Sequence, residues 1–97
     1  MRLLGTKNRP ALILSADAVN RHARDVCVVP ITTVRRAQFT LWVPVQAPDG
    51  GLDRDSWAKC DQVHTVEKRD LFFPLLGRLA PPTLHRIEDA VRTALEL

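Results

Sequence analysis

The sequence predicts a mainly β domain, a small and strongly bent antiparallel barrel with one C-terminal helix. Three observations predict it. Short apolar runs follow one another through residues 11–79, each bounded by proline, glycine or a polar cluster. The hydrophobic period then changes after Pro81-Pro82 to a helical one. Finally, a chain of 97 residues buries roughly two thirds of its unfolded surface, enough for one thin core and therefore one domain over residues 1–97.

Taken in order, residues 11–15 (ALILS) form a continuous apolar run between Pro10 and the polar segment ADAVNRHA, and read as a buried strand. Residues 25–31 (DVCVVPI) repeat the pattern, with Pro30 marking a strand end or an edge because it donates no ladder hydrogen bond. In residues 38–45 (QFTLWVPV), Phe39, Leu41 and Val43 alternate with Thr40, Trp42 and Pro44. PDGGLDRD, residues 48–55, is a turn by composition. Residues 56–60, 62–66 and 71–79 supply further strands. In the last segment Leu84, Ile87, Val91, Ala94 and Leu95 recur at helical spacing, with charged residues between them and a proline at the first helical position. That stripe closes the core of the sheet.

Composition narrows the function classes. Hydrophobic content of 45% with 26% charge fits a soluble globular chain rather than a disordered one. The net charge of +3 is mild, but residues 1–36 hold seven Arg and Lys against Asp17 and Asp25, a local balance of +5. Such a face attracts phosphates, although charge runs are commonly just solvated surface. Cys27 and Cys60 lack the short-spaced Cys and His partners that a metal site needs, so no metal or other cofactor is expected. Cys27, mid-strand between Val26 and Val28, reads as packing like a small hydrophobe. No apolar run approaches ~18 residues, so no membrane span is expected and a cytoplasmic setting is the default. Tyrosine is absent and aromatics are 5%, which argues against an aromatic base-stacking platform. Trp42 and Trp57 could stack on bases, but in so small a β domain a tryptophan is more often core or dimer surface.

Four blocks, in order, carry a resemblance. RPALILS is followed by VVPITT, then GLDRDSWAKCDQVHTV, then LLGRLAPPTLHRIEDAV. Over residues 5–97 this resembles the MazF/PemK toxins. Their members open one strand on Arg-Pro and end the next on PIT or PVT. A DS…DQ block and a G-x-L-x-P step into the last helix follow. The Arg-Pro and the PIT are weak alone; all four blocks together are a strong signal.

The resemblance implies an SH3-like barrel of the CcdB/MazF type and a toxin of a toxin–antitoxin pair. The implied activity is a metal-independent, sequence-selective endoribonuclease on single-stranded mRNA, leaving a 2′,3′-cyclic phosphate and a 5′-hydroxyl. Partners would be a second copy of the chain, in a homodimer, and a cognate antitoxin, MazE-like or of another fold. The family's catalytic arginine and threonine match Arg9 and Thr32. Pro10 restricts Arg9 to extended backbone, and a guanidinium stays charged and can hold two phosphate oxygens. Thr32 offers a short hydroxyl for the same phosphate. RNA contacts would come from Arg35 and Arg36 on the following loop, and from Gln62 and His64 in the DQVHT block. Arginine is a poor general base, so His64 and His22 are the candidates for proton transfer, although each also reads as a solvated surface residue. Asp61 reads as a base-edge contact or a turn residue.

One departure is plain. Before Arg9 the chain has Leu3-Leu4 where relatives carry a longer strand, and the loop glutamate of some members has no counterpart. Either the chain starts late in its reading frame, or Leu3-Leu4 is the stump of that strand; if the strand is missing, its neighbour is left with an unpaired edge. Two other readings compete: a CcdB-type toxin, which binds gyrase and has no nuclease site, and a decayed toxin that binds its antitoxin without cutting.

Overall fold

The computed structural model describes residues 2–6, 9–15, 21–34, 41–70 and 72–97; for residues 2–6, 9 and 72–75 it describes the backbone. Arg35, Arg36 and the predicted strand residues 38–40 lie outside the described residues. The strands described, and the C-terminal helix, follow in order: β1 (Arg2–Thr6), β2 (Arg9–Ile13), β3 (Asp25–Thr32), β4 (Trp42–Val45), β5 (Ser56–Lys59), β6 (His64–Glu67), β7 (Phe72–Arg78) and α1 (Pro81–Leu95). Every pairing is antiparallel. The path through the sheet is β4-β5-β3-β2-β1-β7, with β6 also paired to β3.

Arg2–Thr6 is a strand that pairs with β2 on one side and β7 on the other, so β2 has no open edge there. Leu3↔Leu12 and Leu4↔Ala11 set the register.

β3 is the pivot of the sheet. Along one flank it meets β2 through Ala11↔Pro30 and Ile13↔Val28. Along the other it pairs first with β6, from Asp25↔Glu67 to Val28↔His64, and then with β5, at Ile31↔Ala58 and Thr32↔Trp57. Pro30 falls in the gap between those two ladders, where a residue without an N–H costs no bond. It therefore neither ends β3 nor marks a sheet edge, as its identity suggests from sequence. Thr32, expected just past the strand, is its last residue.

Alternation along these strands separates two faces. Val29, Ile31, Val43, Val45, Ala58 and Cys60 point inward, where they join Leu12, Leu52 and Leu79 in the main core. Ile87 and Val91 of α1 close it at 0% and 5% exposure. Leu84 and Ala90 pack against the same cluster. Leu95, expected on that stripe, is 49% exposed at the last helical position, where the helix ends. On the opposite sheet face, Ala11, Val26 and Val28 form a second, smaller cluster with Ile13 and Val66.

The helix start is held from afar. Its N-cap, Ala80, has no capping side chain. Instead Asp49, in the 3-10 turn Asp49–Gly51, accepts the Ala80 N–H at 2.8 Å and the Thr83 hydroxyl at 2.7 Å. A carboxylate at the positive end of a helix is favourable in addition to those bonds. Gly51 in the same turn has φ +80°, and a Cβ there would collide with the Leu76 carbonyl, so only glycine lets the turn lie against β7.

Candidate active site and nucleic-acid groove

The outward face of β3, β5 and β6 opens into a groove of about 590 Å³. Pro10, Pro30 and Thr32 line it, with Lys59, Gln62 and His64 on the β5–β6 side. Three residues picked out from the sequence, Thr32, Gln62 and His64, therefore share one cavity although 30 residues or more separate the first from the others. The register explains it. Val28↔His64 and Thr32↔Trp57 put β6 and the end of β5 along successive stretches of the same strand. Arg9 is the first residue of β2, next to the groove-lining Pro10. Arg35 and Arg36 lie outside the described residues.

The polar groups have defined partners. Thr32 Oγ1 accepts the N–H of Val34 at 3.1 Å, which orients the hydroxyl and leaves its hydrogen to donate elsewhere. His64 Nδ1 lies 3.1 Å from the Gln62 carbonyl. A carbonyl can only accept, so this contact assigns the proton to Nδ1 and, in neutral His64, leaves Nε2 as an acceptor. Gln62 is itself placed by a tight turn out of β5, its N–H donating to the Lys59 carbonyl at 3.0 Å. Both Gln62 and His64 are exposed.

Asp61, weighed as a base contact or a turn residue, lies in the turn after β5 and also accepts the Trp42 Nε1–H at 2.9 Å. Trp42 is 8% exposed but belongs to neither apolar cluster; it lies against Lys59, whose ammonium is 5.5 Å from its ring centroid. Lys59 was missed altogether. Its signal was present in the alternation of Ser56–Lys59, which sends Trp57 and Lys59 to the face opposite Ala58, but one lysine in a strand is ordinary. Cys27 is half-buried, with Sγ 3.8 Å from Thr65 Oγ1. His22 and His85 are exposed, and neither lines the groove. Among the described residues no group of three or more His, Cys, Asp or Glu side chains could hold a metal ion.

Comparison with known proteins places this arrangement. Residues 4–95 match the model of the PemK-like, MazF-like toxins of type II toxin–antitoxin systems. Endoribonuclease MazF3 of Mycobacterium tuberculosis is 43% identical over 91 residues, covering 94% of this chain and 85% of that protein. The solved structure of the Mycobacterium tuberculosis toxin MazF-mt6 superposes with a TM-score of 0.85 at 33% identity, covering 99% of this chain and 98% of that one. A mycobacterial endoribonuclease in complex with its cognate antitoxin gives 0.81 at 34% identity, covering 99% and 90%. With its barrel, its groove and these relatives together, the chain belongs to the PemK-like, MazF-like family of type II toxin–antitoxin toxins.

Proposed function

We propose that this chain is an endoribonuclease toxin, one toxin domain over residues 1–97, that cuts single-stranded mRNA in the groove along β3. The observation that carries the reading is the convergence of Thr32, Gln62 and His64 on one cavity beside the Arg9-Pro10 step. Relatives named as endoribonucleases, at up to 43% identity, support it.

The proposed reaction is attack of a ribose 2′-oxygen on its own 3′-phosphate. The new P–O bond closes a 2′,3′-cyclic phosphate and the 5′-oxygen of the next nucleotide leaves, needing no metal. Negative charge grows on the phosphoryl oxygens during attack. Arg9 neutralises it, and the free hydroxyl hydrogen of Thr32 donates to the same phosphate. A pre-placed donor of this kind contributes ~3 kcal/mol to the transition state. His64 moves protons: its unprotonated Nε2 accepts from the 2′-hydroxyl, and the imidazolium formed can donate to the leaving oxygen. Gln62, Arg35 and Arg36 contact the RNA chain around the cut. A homodimer and a cognate antitoxin, MazE-like or of another fold, are the proposed assemblies, and the cytoplasm the proposed setting. Among the described residues no helix is long and apolar enough to cross a membrane.

The test is cleavage of a long unstructured RNA in EDTA by the parent and by Arg9→Ala, with end-group analysis of the fragments. Cyclic-phosphate ends from the parent, reduced ~10²–10³-fold in the variant, are expected. A well-folded parent that leaves the RNA intact would move the reading to a decayed toxin.

A further inference from the structure

Lys59 is the charged groove residue to which neither the sequence blocks nor the proposed chemistry gives a role. It lines the same cavity as Thr32. It also stands directly across the β4–β5 ladder from Trp42, its ammonium 5.5 Å from the ring centroid and within cation–π range. The indole is fixed in turn, buried at 8% exposure with Nε1–H donating to Asp61 at 2.9 Å. Asp61 thus clamps Trp42, and Trp42 holds the lysine stem. Among the described residues the ammonium has no carboxylate within ion-pair distance. A half-buried, pre-positioned cation with no counter-anion, on the wall of a polar groove, is arranged to receive an anion.

Its position relative to Thr32 says which anion. Thr32 is paired with Trp57, and Lys59 is two residues farther along β5. That makes Thr32 and Lys59 diagonal neighbours on one sheet face, ~7–8 Å apart at the backbone. The separation suits consecutive phosphates of an extended single strand. We propose that Lys59, Trp42 and Asp61 form a second phosphate subsite, holding the phosphodiester adjacent to the one at Thr32. Lys59 is the contact; Trp42 and Asp61 are positioning residues. The inference rests on the ribonuclease reading of the groove.

The experiment measures binding of a non-cleavable oligonucleotide, an unstructured RNA with 2′-deoxy sugars at its cut sites, from about 50 to 200 mM salt. Parent, Lys59→Met and Lys59→Arg are compared, with each melting curve recorded. Methionine keeps an apolar stem against the indole while removing the charge, so the fold is retained. Each phosphate neutralised on a single strand contributes ~0.7 to the slope of log affinity against log salt. Lys59→Met should bind more weakly and lose about that much slope, Lys59→Arg should keep it, and the positions of cleavage in an all-ribose RNA should not change. If the parent binds and cuts RNA while Lys59→Met shows the parental affinity and slope, the subsite is refuted and the nuclease stands. If the parent neither binds nor cuts, the ribonuclease reading falls and the subsite with it.

Discussion

The two faces of β3, β4 and β5 are made from the same strands, yet they have opposite chemistry. Inward, the cross-strand row Ile31, Ala58 and Val43 is aliphatic and buried, at 4%, 0% and 8% exposure. Outward, one residue away on each strand, stand Thr32, Lys59 and Trp42. A period of two lets one backbone serve both, so the groove adds no element that the core did not already require. The outward face is also divided along its length. Around Val26 and Val28 it is apolar and covered; from Pro30 to Thr32 it is open and polar. The open groove begins where the second cluster stops.

The strongest way to break this comparison is to move charge by one residue. Ala58→Asp places a carboxylate among Ile31, Val43 and Ile87 with no partner, and should cost more than ~4 kcal/mol, enough to abolish a cooperative melt. Its neighbour Lys59, changed to Met, should shift stability by less than ~0.5 kcal/mol. A folded Ala58→Asp protein with the parental melting temperature would show that the inward assignment is wrong.

Thr32→Val sharpens the same contrast on the functional side. The variant keeps shape and removes the hydroxyl. The bond it loses, from the Val34 N–H, is exposed and contributes little, so melting should stay close to the parent. Cleavage should fall ~10²-fold if that hydroxyl donates to the phosphate during attack. A rate within about twofold of the parent would remove Thr32 from the mechanism.

Much of this division can be read from the sequence, and the failures have specific causes. The alternating and apolar runs locate β2 to β7, and the change of period locates α1, because burial on one face leaves a direct imprint on residue order. The role of Pro30 was misread because its cost depends on which neighbour it faces. Two ladders meeting on one flank of β3 is a tertiary fact that no local pattern encodes. β1 was doubtful for a similar reason, since five residues become a convincing strand only with β2 and β7 on either side. Of the groove, Arg9, Thr32, Gln62 and His64 were singled out through four ordered blocks rather than by chemistry visible in any one of them. Lys59 escaped, and Asp61 was weighed without its bond to Trp42, because both meanings lie in Trp42, reached from β5 by the β4 register. The long-range cap from Asp49 to Ala80 and Thr83 escaped too, being a contact across more than thirty positions.

The smallest expected effect tests the inward face through its one ionisable group. Cys60 is fully enclosed in the main core. Burial, with a smaller contribution from the charge of Asp61, pushes its thiol from the ordinary 9.0 up to about 11, while a backbone hydrogen bond at Val43 works in the other direction. The folded chain therefore keeps a proton that the unfolded chain has begun to lose above pH 9. The stability tied to that proton is complete below about pH 9 and declines as pH rises toward 11, by about 1.4 kcal/mol for each unit crossed. Cys60→Ala should flatten this decline, whatever its own cost in packing. The measurement is denaturant unfolding at several pH values between 8 and about 10.5, read as the difference in slope between the parent and Cys60→Ala. Equal slopes would mean that water reaches the Cys60 thiol, and that the inward face is less dry than its exposure values say.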